Sequence, residues 1–97
     1  MARKYFRTIE VIKICGVDKD FILSLERENV VRPILRQNEK LYPPDQVDRI
    51  RVAQLLIEEM GVNLEGAEVV LHMREQMIAM QRQFNQVLRR LAQEHKR

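Results

Sequence analysis

Lys19 and Arg27 stand eight residues apart in the stretch GVDKDFILSLEREN, residues 16–29, with Leu23 midway between them. At helical spacing these three share an outer stripe, because Ile22 and Leu25 turn inward. Cations spaced along an exposed helix suit a polyanion such as a phosphate backbone. The same stretch carries Asp18, Asp20, Glu26 and Glu28, which repel phosphate and suit a basic partner instead. Two binding chemistries therefore compete within fourteen residues.

Residue types that make and break bonds are sparse. The histidines are His72 and His95, and Cys15 is the single cysteine. A Cys/His zinc site needs more ligands at fixed spacing. His72 falls beside the apolar seam of a long helix, and His95 in a charged tail expected to fray. Cys15 closes a short helix, where a buried structural thiol is expected. Glu58 and Glu59 read as solvating charge on an exposed helix face. Three glycines form no phosphate-cradling loop. No catalytic residue, metal site or cofactor is expected, so function should be binding.

The charge balance agrees with a nucleic-acid partner without demanding one. Net charge is +3. Residues 1–40 hold nine Lys/Arg against six Asp/Glu, and residues 41–97 hold eight of each. The excess lies at Arg3, Lys4, Arg7, Lys13, Arg32, Arg36 and Lys40. One cysteine permits no intramolecular disulfide, which fits a reducing cytoplasm. No apolar run of about 18 residues and no signal-peptide pattern is present, so a soluble cytoplasmic protein off the membrane is expected.

These residues need elements to position them. A first helix is expected over Ile9–Cys15, ended by Gly16. A second starts at Asp18 as N-cap. It places Ile22, Leu25, Phe21 and Asn29 on one side, and Pro33 halts it. So short a connection containing a glycine is the helix-turn-helix layout. Residues 32–42, RPILRQNEKLY, predict a two-stranded wing turning at Asn38. Pro44 opens a third helix with a buried stripe of Val47, Ile50, Ala53, Leu56, Ile57 and Met60, ended by Gly61. Asn63 caps a fourth.

In that fourth helix Val70, Met77, Phe84 and Leu91 recur every seven residues. Met73, Met80 and Val87 follow the first three at a spacing of three. Three a/d heptads predict a coiled coil. A helix of roughly 45 Å cannot bury its own seam. The simplest partner is the same helix of a second copy, making these seven residues the dimerisation set. The expected division is a head over 1–62 and a dimerisation helix over 63–97. The fold class is mainly α: a winged helix-turn-helix head followed by a long coiled-coil helix.

EVIKICGVDKDFILSLERENVVRP resembles the opening of MerR-superfamily regulators, E-V-A-K-L-x-G-V-S-x-x-T-L-R-Y-Y-E-R-x-G-L-L-x-P, without a gap. Glu10, Val11, Lys13, Gly16, Val17, Glu26, Arg27 and Pro33 match in type and place. Lys40-Leu41-Tyr42 resembles the wing ending R-x-Y. EEMGVNLEGAEVVLHMREQM is similar to the G-I-N-L-x-G-I form of HspR-type heat-shock repressors and to the N-L-x-G-A form of CbpM-type chaperone modulators. The resemblance covers roughly residues 6–91. It departs where the family presents Arg and Tyr to the duplex, which are Leu23 and Ser24 here. Glu39 replaces the wing aromatic, and Lys40 replaces the wing Arg with a cation lacking the bidentate fork.

The resemblance implies a regulator that binds double-stranded DNA as an antiparallel coiled-coil homodimer, with no effector-binding domain of its own. Its contacts would be Arg7, Lys13, Lys19, Ser24, Arg27, Arg36, Lys40 and Tyr42. The CbpM likeness implies an alternative, a chaperone modulator that binds a J-domain co-chaperone in place of DNA. Asp18, Asp20, Leu23 and Glu28 would then form the protein-binding surface.

Overall fold

A computed structural model describes residues 4–95. Arg3, among the cations counted above, lies outside them. The element order is β1 (Phe6–Arg7), α1 (Thr8–Cys15), α2 (Lys19–Arg27), β2 (Ile34–Arg36), β3 (Glu39–Tyr42), α3 (Pro44–Gln54), a π turn (Leu55–Glu59) and α4 (Leu64–His95).

Local chemistry sets most helix ends. The Arg7 backbone N–H donates to Glu10 Oε1 at 2.9 Å, closing the first turn of α1. Gly16 ends that helix in the left-handed region, φ +66°, with its N–H on Ile12 O. The Asp18 carboxylate then caps α2, accepting from the Phe21 N–H at 2.8 Å. Asn63 Oδ1 caps α4 by accepting from the Gly66 N–H at 2.7 Å. A Cβ on Gly66 would stand 2.9 Å from Val62 Cγ1 and 3.0 Å from that capping oxygen, so only glycine fits under the cap.

The end of α2 differs from the expectation. Asn29 is exposed with φ +59°, and α2 stops at Arg27, well before Pro33. The left-handed turn at Asn29 breaks the helix, and Asn29 does not join the inner face. Asparagine tolerates that conformation better than most residues. The turn drops Val30 and Val31 into the core, both 1% exposed.

The wing is three-stranded, where two strands were expected. Its order is β1-β3-β2, all antiparallel. Phe6 pairs with Tyr42, and Ile34 with Leu41. A two-residue strand shows no alternation to read, which hides β1 in the sequence. Gln37 and Asn38 both have positive φ, as a tight two-residue hairpin demands. The Arg36–Glu39 pair flanks the turn.

The third helix is also interrupted. After Gln54 the backbone takes a π turn, and the Met60 N–H reaches Leu55 O, five residues back. The wider turn shifts everything after it around the helix axis. Val47, Ile50, Ala53 and Leu56 are buried and Ile57 half-buried, but Met60 is rotated outward and 64% exposed. Gly61 then ends the segment at φ +71°.

The core gathers Val11, Ile22, Leu25, Val30, Val31, Tyr42, Ile50 and Ala53 from the head. Leu71 of α4 joins it, and Ala67 is fully buried. Two ion pairs fasten α4 to α3: Arg49 with Glu75, and Arg74 with Asp48 at 2.9 Å. The first three turns of α4 therefore pack as part of the head, on the far side of the 62/63 division drawn from sequence. Beyond Ile78 every α4 side chain described is exposed.

Candidate nucleic-acid interface

α2 and the hairpin wing flank a cleft of about 590 Å³. Its apolar floor is Ile9, Ile12, Ile22 and Leu23, and its rim includes Lys19 and Asn38. Leu23 is half-buried in this cleft, not fully outward as helical spacing alone implied.

One carboxylate spans the cleft. Glu26 Oε1 accepts from Lys40 Nζ at 2.8 Å, and its Oε2 accepts from the Tyr42 hydroxyl at 2.6 Å. The Glu26 side chain is only 13% exposed. Hydrogen bonds to an ionised group are shorter and stronger than neutral ones, and burial strengthens them further. Burial raises the Tyr42 phenol to about 12, and Glu26 adds to the rise by accepting its hydrogen bond.

The expected DNA-contact residues separate into three groups. Lys13, Lys19 and Arg27 are exposed and make no ion pair among the described residues. Arg36 is exposed too, with its guanidinium 5.0 Å from the Tyr5 ring centroid. Arg7 and Lys40 are engaged. Arg7 meets Glu39 at 3.4 Å in an exposed pair, while Lys40 is held by Glu26. Ser24 Oγ donates to Phe21 O at 2.7 Å within its own helix, which occupies its proton. Tyr42 is corrected: at 0% exposure its side chain braces the wing from inside and offers no surface to a duplex.

The acids divide as well. Asp18 caps α2 and Glu26 braces the wing, so both have structural work. Asp20 and Glu28 stay exposed near opposite ends of α2. The sequence treated Glu26 only as one acid among several. The readable signal was that Glu26 and Tyr42 each match the superfamily pattern.

The seam residues form a separate surface. Val70, Met73, Met77, Met80, Phe84, Val87 and Leu91 are between 38% and 68% exposed. Val69 and Leu88 widen the apolar stripe. His72 lines a polar cleft of about 310 Å³ with Arg32, Arg49 and Glu75, away from the wing. Burial, and then the nearby charge of Arg32, lower the pKa of Arg49 there. Cys15 is buried, and desolvation raises its thiol pKa against a smaller opposing effect of Arg51. No cluster of three or more His, Cys, Asp or Glu side chains that could hold a metal occurs among the described residues. No helix among them is long and apolar enough to cross a membrane.

No curated protein matches the sequence. A family profile described as "MerR HTH family regulatory protein" matches residues 6–90. That span takes in α1, α2, the wing, α3 and nearly all of α4. With its helix pair braced against a wing and carried on one long helix, the chain belongs to the MerR HTH family of regulatory proteins.

Proposed function

We propose that the chain is a DNA-binding transcriptional regulator that acts as a homodimer through α4. The observation that carries the DNA half is the unpaired cation set on the helix pair. Lys13, Lys19 and Arg27 are solvent-facing and free of internal counter-ions among the described residues, beside a wing that carries Arg7 and Arg36. α2 enters the major groove and the wing follows the backbone, the geometry by which winged helix-turn-helix heads bind.

The exposed heptad stripe supports the dimer. Fully burying one large apolar side chain is worth roughly 1.5–3 kcal/mol, and seven such residues stand open on each copy. Charge favours the antiparallel pairing. The first half of α4 holds Glu65, Glu68 and Glu75 against Arg74, and the second holds Arg82, Arg89 and Arg90 against Glu94. Antiparallel helices set acid against base, whereas parallel helices set like against like.

The J-domain alternative has less to stand on. Of its four residues Asp18 is engaged in the helix cap, which leaves Asp20, Glu28 and the half-buried Leu23. Fluorescence anisotropy with a labelled random-sequence duplex over a salt series tests the proposal. Affinity should fall steeply with salt. The double variant Lys19→Glu/Arg27→Glu should abolish binding. A wild-type protein that ignores duplex at physiological salt, yet retains a J-domain protein from nuclease-treated lysate, would reverse the assignment.

A further inference from the structure

The two cations that the wing region engages internally are held very differently. The Arg7–Glu39 contact is 3.4 Å long, and both side chains are more than half exposed. Exposed pairs of that kind contribute little and open readily. The Glu26–Lys40 contact is a 2.8 Å charge-assisted hydrogen bond to a carboxylate that is mostly shielded from water. The Tyr42 hydroxyl donates to the other oxygen of that carboxylate at 2.6 Å, which holds Glu26 in place, while the Lys40 side chain stays 44% exposed. Tyr42 is itself locked in the core and in register with β1.

Resting on the DNA-binding function proposed above, we infer that Glu26 is a positioning residue that withholds Lys40 from phosphate. Glu26 takes one of the three N–H donors of that ammonium and offsets its charge, which weakens its pull on phosphate. Lys40 then serves to set the angle between α2 and the wing, and the wing's backbone contacts come from Arg7 and Arg36. The pair spans the cleft, so the same contact keeps the wing drawn toward α2.

The test is the salt dependence of binding to a random-sequence duplex for four proteins: wild type, Glu26→Gln, Lys40→Gln and the double variant. Glutamine at position 26 keeps an acceptor for Tyr42 but loses the charge that holds Lys40. Thermal melts of all four establish that each is folded. Each phosphate neutralised adds about 0.9 to the slope of log K against log salt. Glu26→Gln should bind tighter and steepen the slope by about 0.9 for each wing engaged. Lys40→Gln should cancel that gain in the Glu26→Gln background and leave the slope of the otherwise wild-type protein nearly unchanged. A slope already flattened by about 0.9 in Lys40→Gln alone overturns the inference, because Lys40 would then be on phosphate. So does a Glu26→Gln protein whose slope equals that of wild type or whose binding is weaker. If none of the four binds duplex, the DNA function itself fails, and this inference fails with it.

Discussion

In the head, Glu26 meets Lys40 and Tyr42, Asp18 meets the first turn of α2, and Arg49 and Arg74 meet acids across the α3–α4 contact. From Met73 to Leu91 the heptad side chains of α4 stand open instead, and beyond Ile78 every α4 side chain described is exposed. The contrast separates two kinds of demand. The head satisfies its buried polar atoms internally: no buried side-chain nitrogen or oxygen among the described residues lacks a partner. The outer half of α4 satisfies its backbone and leaves its apolar face unmet. An isolated helix gains little stability from propensity alone, and most of it normally comes from packing. Folding of the head is thus complete within the chain, while outer α4 keeps an apolar face that nothing among the described residues covers.

The sharpest way to break this comparison is Phe84→Asp. Phe84 is 62% exposed in the single chain, so the substitution should leave the head intact. In a dimer it places a carboxylate in the seam of both copies. The dimer dissociation constant should rise at least 100-fold. Sedimentation equilibrium reads the association, and circular dichroism should show outer α4 melting separately from the head. A wild-type protein that is monomeric at high concentration with α4 fully helical would remove the contrast altogether.

Alkaline titration probes the head. Tyr42 titrates near 12 when folded, against 10 for an ordinary tyrosine, because burial and the Glu26 carboxylate disfavour the phenolate. Its folded pKa lies above its unfolded one, so the stabilisation is complete below pH 10. It is lost as pH rises toward 12, when the unfolded chain releases the proton first. The loss should be about 2–3 kcal/mol across that window. Urea melts at about pH 9 and about pH 11.5 measure it against Tyr42→Phe as control. Equal losses in both proteins would show that Tyr42 carries no such linkage.

The smallest effect concerns the acids of α2. Asp18→Ala should cost about 1 kcal/mol in urea denaturation as the cap is lost. Asp20→Ala, exposed and uninvolved in the cap, should stay within about 0.5 kcal/mol. Equal costs would mean that the position of the acid relative to the helix end does not matter.

Much of the fold was legible because its signals are local. Asp18, Pro44 and Asn63 each mark a boundary through their own side chain, and Gly16 and Gly61 through the positive φ that the absence of one allows. The apolar stripe of α4 was legible because a seven-residue repeat needs no tertiary knowledge. Two of the differences share one cause: Asn29 and Met60 sit where regular helical geometry gives way. Tyr42 lies in a regular strand, and strand pairing is what buries it. A left-handed residue ends α2, a π turn rotates Met60 outward, and the pairing of β3 with β1 buries Tyr42.

The sequence by itself determined the order of the four helices and the wing hairpin, the caps at Asp18 and Asn63, the apolar stripe on α4 and membership in a helix-turn-helix family. Only the tertiary structure decided which charges remain free. Lys19 and Lys40 are the same residue type, yet one makes no ion pair among the described residues and the other is held by a carboxylate fourteen residues away in sequence. A side chain's charge is fixed by its type, but its availability depends on which atoms the fold brings within about 3 Å. That distance is set by the angle at which the wing closes on α2, which no local pattern encodes.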